Sequence, residues 1–125
     1  AWRYRLAAGA AVSAAVLLLL ASGNVAPVKG FTRSATDARS VLNDVRTLPE
    51  YPSSPFAIAP LPNHDGVAGF TAAYDIQGAL LARYGVVEDA QVTGTDAQAE
   101  ALVGKEAVYR YCPAARVLVP WRGRC

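Results

Sequence analysis

The spacing of apolar residues changes along this chain, and each change marks a different element. From Leu6 to Gly23 every residue is uncharged, and no charge occurs between Arg5 and Lys29. A helix of about eighteen residues spans about 27 Å, close to a bilayer core. A helix apolar on every face is suited to burial, not to water. The pattern predicts a membrane-crossing helix over residues 2–26. A cleavable signal peptide is the competing reading, with Arg3 and Arg5 as its positive start and Ala21-Ser22-Gly23 as a cleavage triplet. The flanking Arg3 and Arg5, with Trp2 and Tyr4 as interfacial anchors, place the short N-terminus on the cytoplasmic-type side. The rest of the chain is then expected in a periplasm, a lumen or an intermembrane space.

Within this segment small residues recur at helical spacing. Gly9 pairs with Ser13, and Ala10 with Ala14, a pattern that lets a second helix approach closely. The segment has no His, Asp or Glu, so it offers no imidazole ligand and no proton-relay group. It is read as packing, not chemistry.

Beyond it, Phe31, Ala35, Ala38, Val41, Leu42, Val45 and Leu48 are spaced by threes and fours, the mark of an amphipathic helix that Pro49 ends. Ser34 followed by Asp37 resembles a capping box, and Arg33 with Asp37 is a weak one-turn pair. Residues 49–69 carry Pro49, Pro52, Pro55, Pro60 and Pro62, which disfavour both regular helix and central strand. Tyr51, Phe56, Ile58 and Leu61 are too apolar for a solvated linker. The segment reads as an extended strap laid across a surface, its own or a partner's.

A further helix is expected over 71–84, with Ala73, Ile76, Leu80, Leu81 and Tyr84 on its apolar face and Gly85 as its stop. A short strand follows over 86–93. Thr95 or Asp96 caps a brief helix that Gly104 ends. The runs 106–112 and 116–121 are strand-like, with a helical continuation through Tyr111 as the alternative for 96–111. The expected architecture is a single transmembrane α-helix followed by a small α+β extracytoplasmic domain of two helices, two or three short strands and a long Pro-rich strap. Its parts are an anchor over 1–26, an amphipathic helix segment over 27–48, the strap over 49–69 and a small α+β domain over 70–125.

Composition narrows the function classes. The chain has 125 residues, 53% hydrophobic and 18% charged, with a net charge of +2. That length holds one domain, and the apolar content excludes wholesale disorder. The near-neutral balance argues against a nucleic-acid partner. Arg110, Arg116, Arg122 and Arg124 cluster near the end, either as a solvated face or as a patch for an acidic surface. Cys112 and Cys125 enclose a short loop, and in an oxidising space they are expected to form a disulfide that stabilises by about 3 kcal/mol.

No catalytic constellation is legible. His64 is the single histidine, in Asn63-His64-Asp65-Gly66, which is turn chemistry first. An adjacent Asp65 is poorly placed to orient it, because neighbouring side chains on an extended chain diverge. Ser53 and Ser54 lack a nucleophile-elbow setting. One His and two Cys make no defensible zinc site, and Glu88-Asp89 lies in no calcium-loop pattern. No cofactor, metal or catalytic residue is therefore assigned. The expected function is a non-catalytic accessory or structural subunit of a larger membrane complex, in contact with lipid and other subunits. Respiratory and photosynthetic complexes are candidates by analogy with their small one-helix subunits. The alternative is a membrane-anchored envelope module that binds a ligand.

Overall fold

The first helix, α1, runs from Trp2 to Val45 without a break. The computed structural model describes residues 2–70, 75–86 and 88–125, and within α1 the side chains of 12–18 and from 29 onward. At 44 residues, α1 is about 66 Å long. Its last four turns do the packing. Ser34, Asp37, Val41, Leu42 and Val45 are buried, with Ala38 against the same core. The buried stripe passes through Gly30 and Ser34, which leaves Phe31 and Ala35 in solvent. Pro49 follows the turn made by Thr47 N–H to the Asp44 carbonyl and Leu48 N–H to the Val45 carbonyl.

Among the described residues, no helix is long and apolar enough to cross a membrane. From Lys29 the same helix carries Lys29, Arg33, Asp37, Arg39 and Asp44. This corrects the expected single-pass anchor over 2–26. It also corrects the expected placement of the N-terminus on a cytoplasmic-type side and of the rest in a periplasm, lumen or intermembrane space. The expected boundary between an anchor and a separate amphipathic helix is absent, because helix continues through Pro27.

A four-stranded mixed sheet forms the centre. Its strands are β1 (Phe56–Ile58), β4 (Ala90–Val92), β5 (Ala107–Cys112) and β6 (Val117–Pro120), in the order β4-β1-β5-β6. The first three are parallel, with Phe56 beside both Ala90 and Ala107; β6 returns antiparallel, with Leu118 beside Tyr111. A separate hairpin pairs β2 (Asn63–His64) with β3 (Val67–Ala68). The helix α2 (Asp75–Tyr84) joins β1 to β4, and α3 (Asp96–Leu102) joins β4 to β5.

β1 is the central strand, and it arises inside the proline-rich segment. Pro55 and Pro60 lie just outside it, so none of its three amides is lost. Alternation splits its side chains between two cores. Phe56 and Ile58 join Val41, Val45, Ile76 and Leu80 beneath α1 and α2. Ala57 faces the other way, with Ala59, Ala99 and Val108 beneath α3. Each fully buried Val, Ile, Leu or Phe contributes about 1.5–3 kcal/mol, so the first core carries most of the stability. Small residues on the second face let α3 sit close. Leu81, expected on the apolar face of α2, is exposed.

Local signals place α3 and the hairpin ends. Thr95 caps α3, its hydroxyl accepting from Gln98 N–H at 3.2 Å. Cys112 and Cys125 form a disulfide with Cα atoms 5.5 Å apart. It returns the C-terminal segment to the α3 side of the sheet, where Trp121 packs on the second core and its indole donates to Glu100. Arg122 pairs with Glu100 at 3.2 Å, and Arg110 donates to the Gly123 carbonyl.

Candidate functional site

The geometry of the site begins with a close approach. Gly30 of α1 lies against the carbonyl of His64, where a Cβ would collide with backbone. One turn on, Ser34 donates its hydroxyl to the Val67 carbonyl at 2.6 Å. From the hairpin side, a Cβ at Gly69 would come within 2.8 Å of the Ser34 carbonyl. Small residues on both partners therefore let the β2–β3 hairpin lie directly on the helix. Its two-residue turn, Asp65-Gly66, has positive φ at both positions, 53° and 85°, as this tight turn requires. Asn63 accepts the Gly66 N–H at 2.8 Å.

This docking brings His64 to Asp37, one turn beyond Ser34. His64 Nε2 lies 2.7 Å from Asp37 Oδ2. The other carboxylate oxygen, Oδ1, accepts from the Tyr111 hydroxyl of β5 at 3.1 Å. The pair is mostly buried, with side-chain exposures of 23% for His64 and 11% for Asp37. With Nε2 held by the carboxylate, Nδ1 accepts in the neutral ring and donates in the cation. Burial, with the Asp37 charge nearby, pushes the Tyr111 hydroxyl above its ordinary range, so Tyr111 serves as a donor.

Around the pair lies a cavity of about 240 Å³ lined by Thr32, Arg33, Thr36, Asp37, His64, Pro113 and Arg116. Arg33 comes from α1, and Arg116 from the turn between β5 and β6, where it stands at φ 56°. Asp37 uses its oxygens on His64 and Tyr111, so the expected Arg33–Asp37 pair does not form. The cavity sits at the carboxyl end of β5, where Pro113 and Arg116 follow the strand.

The sequence-derived site residues fall elsewhere. Phe56, Ile58 and Leu61 are buried in the chain's own core, and Tyr51 is half-buried at its edge. Ser13 and Ala14 are exposed on α1, while the side chains of Gly9 and Ala10 lie outside the described residues. Asp37 was legible as a capping partner of Ser34 and a one-turn partner of Arg33, not as a partner of His64. Its pairing with His64 spans 27 positions and depends on the hairpin lying on α1, which no local spacing encodes. A faint signal existed in Gly30 and Ser34, small residues on the face that also carries Asp37.

Elsewhere, Glu88 is buried, and neither carboxylate oxygen has a hydrogen-bond partner among the described residues. Burial pushes its carboxyl above the ordinary range, and the adjacent Asp89 amide, outside hydrogen-bond geometry, offsets only part of this. Among the described residues no group of three or more His, Cys, Asp or Glu could hold a metal. The chain matches no protein-family model, no curated protein and no solved structure.

Proposed function

We propose that this chain is a non-catalytic accessory subunit, in which α1 packs against helices of a partner protein and the α/β unit holds that helix in place. One observation carries the reading. Val12, Val16, Leu17 and Leu18 are all exposed, at 65%, 49%, 67% and 71%. They surround the helix instead of forming one stripe. A helix that is apolar all round is stable only when covered. The first described contact of α1 with the rest of the chain is at Gly30, about 18 Å along the axis from Leu18. This chain's own core is therefore out of reach of that stretch.

The small residues Gly9, Ala10, Ser13 and Ala14 support close helix–helix packing. At the other end, Val41 and Val45 anchor the same helix in the core, so force on one end is carried by the other.

The test is the native size of the tagged full chain, with mass spectrometry of the proteins that co-migrate. The expected result is a stoichiometric assembly several times the 13.1 kDa of the chain. Val16→Asp with Leu17→Asp is expected to release the chain from it while leaving the α/β unit folded. Migration of the wild-type chain at its own mass overturns the reading.

A further inference from the structure

We propose that the cavity beside the Asp37–His64 pair binds a small oxyanion, a phosphate or a short carboxylate, held between Arg33 and Arg116 with His64 at its base. The inference is independent of what covers the upper part of α1.

Charge is the first argument. Two guanidinium groups from different elements line one cavity, and its single acidic side chain is engaged by His64 and Tyr111. Among the described residues no ion pair satisfies either arginine. Planar guanidinium forks are well suited to carboxylate and phosphate oxygens. The other charges nearby are Lys29, one turn before Arg33, and Asp65, at the hairpin tip; neither lines the cavity. The local balance is therefore positive, although the whole chain is nearly neutral.

Shape is the second. The cavity is smaller than the roughly 300–1,000 Å³ typical of drug-sized ligand sites, so it suits a small polar anion. The third argument is preorganisation. Asp37 is fixed by Tyr111 and in turn fixes the His64 ring, so the ring does not have to be ordered when a ligand arrives. Arg116 occupies a left-handed backbone position that a glycine would adopt more easily, and it places the guanidinium at the cavity. Thr36 is not a donor to the anion, because its hydroxyl already donates to the Thr32 carbonyl at 3.0 Å.

Isothermal titration of the full chain with inorganic phosphate and, separately, with succinate tests this. Saturable binding of one of them is expected, weaker at higher salt. Arg33→Gln and Arg116→Gln are each expected to weaken it about tenfold. Both residues are exposed, so the variants fold, which circular dichroism checks. Arg122→Gln, on the opposite face of the sheet, is expected to bind as the wild type does. The arm that responds identifies the anion class. The proposal is overturned if neither anion binds at millimolar concentration, or if all three variants bind equally well.

Discussion

Asp44 of α1 accepts the backbone N–H of Leu118 at 2.6 Å, so a helix side chain closes the outer edge of β6. An open strand edge invites pairing with another chain. Here a carboxylate oxygen takes an outward amide of the edge; the Thr47 hydroxyl donates to the Asp44 backbone carbonyl at 2.7 Å and lies 3.5 Å from the other carboxylate oxygen. Asp44→Ala is expected to destabilise the fold by about 1.5–3 kcal/mol, the usual contribution of a hydrogen bond to a charged group. Asp44→Asn, which keeps an acceptor, is expected to lose less. Urea denaturation of the two variants measures the difference.

Asp37 holds both the Tyr111 hydroxyl and the His64 ring. Asp37→Ala leaves two mostly buried polar groups without their partner, and a loss of about 2–4 kcal/mol is expected. Tyr111→Phe removes one donor without orphaning His64 and is expected to cost less. Equal losses in the two variants would show that the carboxylate is not the shared partner.

The disulfide closes a loop of 13 positions and holds Trp121 over the second core. Replacing both cysteines by serine is expected to cost about 3 kcal/mol. The change is also expected to raise solvent exposure of Trp121, read as a red shift in its fluorescence. An unshifted spectrum would mean that Trp121 and its contact with Glu100 hold the segment without the bridge.

Tyr109 donates to Glu50 at 2.7 Å, and burial, with Glu50 nearby, pushes its hydroxyl up to about 12. The ordinary value is 10.0. Between these values the unfolded chain has lost the proton and the folded chain has kept it. Stability is therefore complete below pH 10 and falls as pH rises toward 12, by about 2–3 kcal/mol. Tyr109→Phe is expected to flatten most of this decline, leaving the part due to Tyr111. Denaturation midpoints from pH 9 to pH 12 check it.

Glu88 follows the same sign in the acidic range. Burial raises its carboxyl in the folded state, so the contribution of Glu88 to stability is complete below the ordinary 4.5 and is lost as pH rises. Glu88→Gln is expected to be more stable than the wild type at neutral pH and to match it near pH 4. An equal difference at both pH values would exclude titration of Glu88 as the cause.

Elements written in local chemistry were legible. Thr95 and Gly104 bracket α3, which forms at Asp96–Leu102. Gly85, at φ 66°, follows α2, and the β-branched and aromatic runs near the end form Ala107–Cys112 and Val117–Pro120. The turn at Asp65-Gly66 belongs with these, whereas the Cys112–Cys125 bridge forms although its expectation rested on an oxidising compartment and not on local spacing. Caps, turns and strand runs act over a few residues, and so does the physics that produces them.

Other features were settled by contacts distant in sequence. Phe56 and Ile58 sit among prolines that argue against a central strand, yet parallel partners on both sides supply the backbone bonds and burial that make β1. α1 runs as one helix from Trp2 to Val45 instead of an anchor and a second segment, a continuity that the change in apolar spacing does not reveal. His64 gained its partner only when the hairpin came to rest on Gly30 and Ser34. Spacing along a chain encodes periodicity; it does not encode which face of one element meets which residue of another. Those meetings are decided when the core closes, because burial rewards the whole arrangement rather than any single segment.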